Sequence, residues 1–466
     1  MTNSDEKQPA QDVSQMEPAE LDVGPSPANV ASMTATAAHD KKGTSSSWFS
    51  GWFGPSLPEY PGPYPVGMLD VETPGVAEKG TKGVLVRFYY PTTNSAGESH
   101  CRAKWLPKAT FYSIGYGNFS KLPTFLALGL VYPALANIKT WGWLDAPLRP
   151  AGGEASSDQP PLPARMPPVI FCHGLGGMRT TYSTFCGGLA SEGFIVAAIE
   201  HRDGSATVAA KNNYKEKIIY RPPNTNDKLP TESVPEFWSR FRGGQMDLKD
   251  GEVKEVIQLF RDLDAGTPVE NLMATSAWAD FTKAVAGRFD FDNWVMAGHS
   301  FGAATALMAM QDPSNPFKCG IAIDPFMYAV KDTPVTKPFI SIQSQNFHWR
   351  DNLDPIRKMF RSPQCSPNSR FGLLRNTAHQ DISDFPALFS GLFRMMKLGG
   401  AADPRESLRL YHAWHMQFLK ENLTNVGIKF GDYPGFEKGD NVQRPEAVAE
   451  GEGTWDILYR DIKSTW

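Results

Sequence analysis

The stretch Trp294-Val295-Met296-Ala297-Gly298-His299-Ser300-Phe301-Gly302-Ala303-Ala304-Thr305-Ala306-Leu307-Met308 decides the fold. The apolar run Trp294 to Ala297 reads as a short buried strand, and the Ala-rich run from Ala303 reads as a helix. Between them a G-x-S-x-G turn carries Ser300, in the strand–turn–helix setting that lifts a nucleophilic hydroxyl above a sheet. Gly298 and Gly302 remove Cβ atoms where strand and helix crowd each other. The helix that follows points its N-terminal amides towards the place where an oxyanion forms.

The flanking sequence repeats this rhythm. Pro168 to Phe171 is a predicted strand that ends in Cys172-His173-Gly174-Leu175-Gly176-Gly177, and a helix with Tyr182, Leu189 and Ala190 follows. Phe194 to Ile199, Gly320 to Ile323 and Pro338 to Ile342 are further short apolar strands. Continuous apolar strands alternating with helices predict an α/β fold with a mostly parallel, doubly wound central sheet and helices on both faces. Val84 to Tyr90 reads as one strand of an antiparallel opening pair. Asp250 to Leu263 carries Val253, Val256, Ile257, Phe260 and Leu263 at helical spacing, and Ser407 to Leu419 is a second helix. Residues 205–250 read as an irregular polar insertion. The tail after Asn425 lacks periodicity and is expected to wrap the domain in part.

The chain has 466 residues, 41% of them hydrophobic, and a net charge of −4. This fits one decorated domain, over residues 56–466, and argues against nucleic-acid binding. Residues 1–55 are expected to be disordered, because up to about residue 45 they are polar and lack aromatics. Trp48, Phe49, Trp52 and Phe53 end that segment, as an anchor or as packing on the domain. Five scattered cysteines without a C-x-x-C pair argue against disulfides and zinc. No apolar signal-peptide core is seen, and Thr2 excludes N-myristoylation, so an intracellular, cytoplasmic protein is expected. No sequence feature specifies an oligomeric state.

A serine hydroxyl needs an imidazole base, and that base needs a carboxylate to fix its tautomer. After Ser300, Asp324 is the first carboxylate at the C-terminal end of a strand, where doubly wound sheets place functional groups. Asp312 and Asp332 sit in turns. Among the later histidines, His348 lies beside Trp349, and His412 and His415 lie in the late helix. His379 lies in the polar loop Thr377-Ala378-His379-Gln380-Asp381 and is the expected base. The oxyanion donors are expected to be the backbone amides of Phe301 and Leu175, the latter in the loop His173-Gly174-Leu175-Gly176. His201-Arg202-Asp203 reads as a structural charge cluster. No metal or cofactor motif is present, so neither is expected.

Together these strings resemble the platelet-activating factor acetylhydrolase family, in its monomeric plasma and intracellular form. The resemblance runs from about Gly62 to Leu423. It rests on Phe171-Cys172-His173-Gly174-Leu175-Gly176, Arg179-Thr180-Thr181-Tyr182-Ser183, Leu189 to Asp203, Gly298 to Gly302, Cys319 to Asp324, and His379-Gln380-Asp381 with Asp384-Phe385. It implies an α/β-hydrolase that removes short sn-2 acyl groups from phospholipids without calcium. It also implies Ser300, Asp324 and His379 as the triad, with Leu175 and Phe301 at the oxyanion. The competing readings are a broad carboxylesterase or lipase and a non-catalytic lipid-binding scaffold.

A phospholipid substrate calls for contact with a lipid surface. Two apolar runs are candidates, Phe125 to Ile138 and Phe385 to Leu398. In the second, Phe385, Leu388, Phe389, Leu392, Phe393 and Met396 recur at helical spacing, as a lipid-facing or a core stripe.

Overall fold

The structure is a computed structural model and describes residues 57–93, 100–152, 159–224, 228–273, 275–347, 350–433 and 457–461. Strands β5 (Pro168–Cys172), β6 (Ile195–Ile199), β9 (Val295–His299) and β10 (Cys319–Ile323) are buried at every position. Their side chains alternate between the two faces of the sheet. Ile170, Cys172, Ile195, Ala197 and Met296 enter one core, while Val169, Phe171, Val196, Ala198, Val295 and Ala297 enter the other. A sheet buried on both faces explains why these strands read as unbroken apolar runs.

Parallel pairing joins β6, β5, β9, β10, β11 (Phe339–Ser344), β12 (Arg370–Arg375) and β13 (Ile457–Asp461). On the other side β6 pairs antiparallel with β2 (Leu85–Pro91), which pairs antiparallel with β1 (Val66–Glu72). Strands β4 (Lys139–Leu144) and β3 (Arg102–Lys104) complete the edge, giving the order β13-β12-β11-β10-β9-β5-β6-β2-β1-β4-β3. This is the expected α/β-hydrolase sheet with its antiparallel opening pair. Helices α1 (Ala109–Phe119), α2 (Ser183–Ser191), α3 (Val234–Asp264), α4 (Phe301–Gln311) and α5 (Pro404–Asn422) matter most for the site. Helices α3 and α4 pack Val253, Phe260, Ala303 and Leu307 on one face; α2 and α5 pack Phe185, Leu189, Leu408 and Trp414 on the other.

Two sequence expectations need correction. Residues 205–250 are not irregular: they hold a hairpin, β7 (Val208–Lys211) with β8 (Glu216–Ile219), and the first half of α3. The helix starts at a capping box, in which Ser233 Oγ accepts from Glu236 N and Glu236 Oε2 accepts from Ser233 N. Second, Phe385 to Leu398 is not one helix with one apolar face. It breaks at Phe389 (φ −134°, ψ 47°) into Asp384–Leu388 and Ser390–Met395. Of the two readings left open for this run, Leu388 and Phe389 take the core one: they are 1% and 8% exposed and pack with Trp105, Tyr112 and Met178. Of the tail, residues 426–433 pack on the domain, with Val426, Phe430 and Tyr433 against the α2–α5 face. Trp48 to Phe53 and His348 lie outside the described residues. Among the described residues no helix is long and apolar enough to cross a membrane.

The apolar run that does face outwards is the first one. Thr124 to Leu135 forms a short helical stretch widened by a π turn at Ala127–Val131. It buries Ala127 and Leu135 and exposes Phe125 (71%), Leu128, Leu130 (47%) and Tyr132.

Because Leu388 is buried, Leu388→Glu places an unpaired carboxylate in the core and is expected to cost about 3 kcal/mol or more. Met395→Glu, at a position 48% exposed, is expected to stay within about 0.5 kcal/mol. Urea denaturation of the two variants separates the cases; equal stability would place Leu388 outside the core.

Candidate active site

Ser300 sits between β9 and α4 with φ 56° and ψ −119°, a conformation that non-glycine residues rarely adopt. Such a turn is held by what surrounds it. A Cβ on Gly298 would lie 2.2 Å from Gly302 O, and one on Gly302 would lie 2.0 Å from Cys172 O. The backbone of β5, β9 and α4 therefore meets at Ser300 with no room for side chains. Ser300 N donates to Ile323 O (2.9 Å), and Ser300 O accepts from Phe326 N (3.1 Å), tying the elbow to the end of β10.

The structure brings the three predicted side chains together. Ser300 Oγ is 3.0 Å from His379 Nε2, and His379 Nδ1 is 3.0 Å from Asp324 Oδ2. All three are buried. Asp324 follows β10 with φ 45° and accepts two further bonds, from Ser344 N (2.6 Å) and Ser344 Oγ (2.5 Å). An acceptor-only carboxylate so bound has its orientation fixed, and it in turn favours the Nδ1–H tautomer of His379. The imidazole stacks on Phe347 at 3.9 Å and 10°, and His379 N donates to Asn346 Oδ1 (2.7 Å).

Sequence reasoning missed Ser344, Asn346 and Phe347. All three follow directly from the run Ile342 to Phe347 at the end of β11, which was legible as a strand end carrying polar groups.

The loop after β5 offers one amide. Gly174 N faces Tyr182 OH (3.4 Å), Gly176 N donates to Ser205 O and Gly177 N donates to Gly174 O. Leu175 N has no partner among the described residues, nor has Phe301 N at the start of α4. The loop is shaped by His173, whose Nε2 accepts from His201 N (3.1 Å), leaving Nδ1–H to donate to Gly174 O (2.8 Å). Thr207 Oγ1 also donates to Gly176 O.

The loop bearing His379 is tied down by two acids. Asp384 Oδ2 accepts from Trp105 Nε1 (2.8 Å), Ser183 N (2.8 Å) and Ser183 Oγ (2.6 Å), and Oδ1 accepts from Thr184 N, so it caps α2. Asp381 Oδ2 accepts from Ala378 N (2.8 Å) and Gly400 N (3.2 Å). Burial pushes the Asp381 carboxyl up to about 7, and it raises that of Asp384 as well.

His299, Asp324 and His379 present donor atoms within 4.8 Å of one another, as a metal site would. Asp324 Oδ2 is already committed to Ser344 and His379, and His299 Nδ1 lies 2.8 Å from Tyr182 OH. Only His299 Nε2 is left over, which is not a ligand set.

The fold and this Ser–His–Asp geometry are those of carboxylic-ester hydrolases of the α/β-hydrolase class. A ferulic acid esterase from Streptomyces cinnamoneus shares the fold, with TM-score 0.54 and 16% identity over 79% of this chain and 93% of its own. The chain belongs to the family described as platelet-activating factor acetylhydrolase, isoform II, whose model matches residues 53–441. It is 28% identical to the platelet-activating factor acetylhydrolase of Canis lupus familiaris, over 79% of this chain and 77% of that one. It is 26% identical to the Gallus gallus protein of the same name, over 79% and 84%.

Burial lowers the imidazoles of His173, His201, His299 and His415 well below the ordinary value. On acidification below about 6.5, unfolded histidines take protons that the folded ones refuse, so stability falls. Asp145, Glu252, Asp381 and Asp384 act oppositely: burial raises each carboxyl, Glu252 and Asp381 to about 7, so the fold holds protons at pH values where the unfolded carboxyls have lost them. Four imidazoles against four carboxyls largely cancel, so stability is expected to change by less than about 1.4 kcal/mol per pH unit between pH 7 and 5. Urea midpoints between pH 7 and 5 check this; a steeper change in either direction would contradict it.

Proposed function

We propose that this enzyme is a calcium-independent serine hydrolase that removes short sn-2 acyl groups, acetyl above all, from platelet-activating factor-like or oxidised phospholipids. One observation carries the reading: the unbroken line from Ser300 Oγ through His379 to Asp324, beside the partnerless amides of Leu175 and Phe301. His379 Nε2 takes the Ser300 proton as Oγ attacks the sn-2 carbonyl. The oxyanion is held by the Leu175 and Phe301 amides, and Asp324 stabilises the imidazolium. His379 then protonates the departing lysophospholipid oxygen, and water reverses the steps to release the short acid. No metal is required by this chemistry. Leu175, Met246, Phe301 and Phe326 form an apolar cluster at the elbow that suits an acyl group. The names of the relatives add the acetyl ester to the argument.

The substrate's home in a membrane requires a lipid contact, for which Phe125, Leu128, Leu130 and Tyr132 are the best candidates. Their helical stretch packs on α1 at Gly117, and Phe119 at the end of α1 lies 2.8 Å from where a Gly176 Cβ would be. Helix α1 thus links this stretch to the loop that carries Leu175. The single domain over residues 56–466 and an intracellular location belong to the same reading. Buried free thiols at Cys172, Cys186 and Cys319 suit a reducing compartment.

Ser300→Ala is expected to lower kcat by roughly 10³-fold or more and to abolish labelling by a fluorophosphonate. A panel of phosphatidylcholines with acetyl to palmitoyl at sn-2, with chelator present, is expected to favour the short chains. Equal rates across the panel would favour a broad lipase. Phe125→Glu and Leu130→Glu are each expected to weaken binding to phosphatidylcholine vesicles about tenfold or more, because each removes an exposed apolar side chain that would enter the lipid. Hydrolysis of a soluble ester should persist. Unchanged vesicle sedimentation would move the lipid contact elsewhere.

A further inference from the structure

Helix α3 carries Arg242, Gln245, Lys249 and Glu252 at intervals of three, four and three residues, one face of a helix. All four are buried. Two are fully tied. Glu252 accepts from Arg202 N (2.8 Å) and meets His201 Nδ1 (2.6 Å); Gln245 accepts from Arg242 Nη1 (2.7 Å) and donates to Asp203 O (3.0 Å).

The cations are matched less well. Among the described residues Lys249 Nζ has no hydrogen-bond partner, standing 3.8 Å from Asp203 Oδ2, and Arg242 Nε has none either. A buried charge left short of partners is unfavourable for folding. Both cations lie against one ring: Lys249 Nζ is 4.9 Å, and Arg242 Cζ 5.5 Å, from the centroid of Phe301. Phe301 is the residue whose amide begins α4 at the oxyanion position.

We propose that Lys249, supported by Arg242, is a positioning residue for ester hydrolysis: its buried positive charge fixes Phe301 and stabilises the oxyanion formed at the Phe301 amide. The proposal rests on the assignment of Ser300 and the Phe301 amide above. A neutral ester feels this charge weakly, and the anionic tetrahedral intermediate feels it strongly, so the effect falls on kcat rather than KM. Water is excluded from the α3 face, so the charge is screened less than a surface lysine would be. The groups facing Lys249 are Asp203, Glu252, Arg242 and the Cys172 thiol, and Asp203 alone forms an ion pair with it.

The test combines steady-state kinetics on 4-nitrophenyl acetate with inhibition by a trifluoromethyl ketone, which forms an anionic hemiketal on a reactive serine. Lys249→Met is expected to lower kcat about tenfold with KM within about twofold, and to weaken the ketone by the same factor. Lys249→Arg keeps the charge and is expected to restore both. Because Lys249→Met strands Asp203, the double variant Asp203→Asn/Lys249→Met is measured beside it and is expected to show the same loss. Wild-type kcat in the folded double variant, or Lys249→Arg as slow as Lys249→Met, overturns the proposal. Failure of the underlying assignment looks different: Ser300→Ala would then retain turnover and the ketone would not inhibit the wild type.

Discussion

The close crossing of β9 and α4 at Ser300 constrains everything around it. Backbone atoms of Gly302 and Cys172 occupy the space that side chains at 298 and 302 would need. Ser300 can hold φ 56° only because the buried sheet on either side leaves it no alternative. The conformation that lifts its hydroxyl above the sheet is also the one that leaves Phe301 N free at the helix start. Nucleophile and oxyanion donor thus come from a single strained turn, and the stability that holds it is supplied by the two cores beneath.

The other site groups arrive from separate segments, and each is fixed by polar ties rather than by the sheet alone. Ser344 holds Asp324, Asn346 holds the backbone of His379, and Asp381 and Asp384 tie its loop to Gly400 and to the start of α2. On the oxyanion side, His173 and Ser205 hold the loop of Leu175. Buried ties of this kind resist small displacements, which suits a reaction that needs a serine, an imidazole and two amides at hydrogen-bond distances together.

How much of this was legible varies for physical reasons. Ser300, Asp324 and His379 were legible because each sits at the end of a short apolar strand or just after one, and a doubly wound sheet converges those ends. Strands β5, β6, β9 and β10 stood out because burial on both faces removes polar residues from the run. The first half of α3 was hidden by Gly243 and Gly244, which weaken a helical reading and where an added Cβ would meet nothing within 4 Å. Yet its start carried a signal, Ser233 and Glu236 at capping-box spacing with Pro235 in the first turn. The polar ties were not legible, because the partners of Asp384, such as Trp105 and Ser183, lie 279 and 201 residues away.

The two apolar runs show where periodicity alone stops. Phe385 to Leu398 has the better helical stripe, and it is core: the cap that Asp384 forms on α2 draws the run inward, and Phe385 packs edge-on against Trp105 and Tyr116. Phe125 to Ile138 has the poorer pattern, interrupted by Gly129 and Pro133, and it is the run left facing outwards. A core stripe must match one neighbour and so keeps a regular period. A surface that meets fluid lipid needs only apolar area and a widened turn that spreads it, and regularity adds nothing there. The weaker helix is therefore the better membrane candidate, and it packs at Gly117 on α1, the helix whose Phe119 lies beside Gly176 in the loop that carries Leu175.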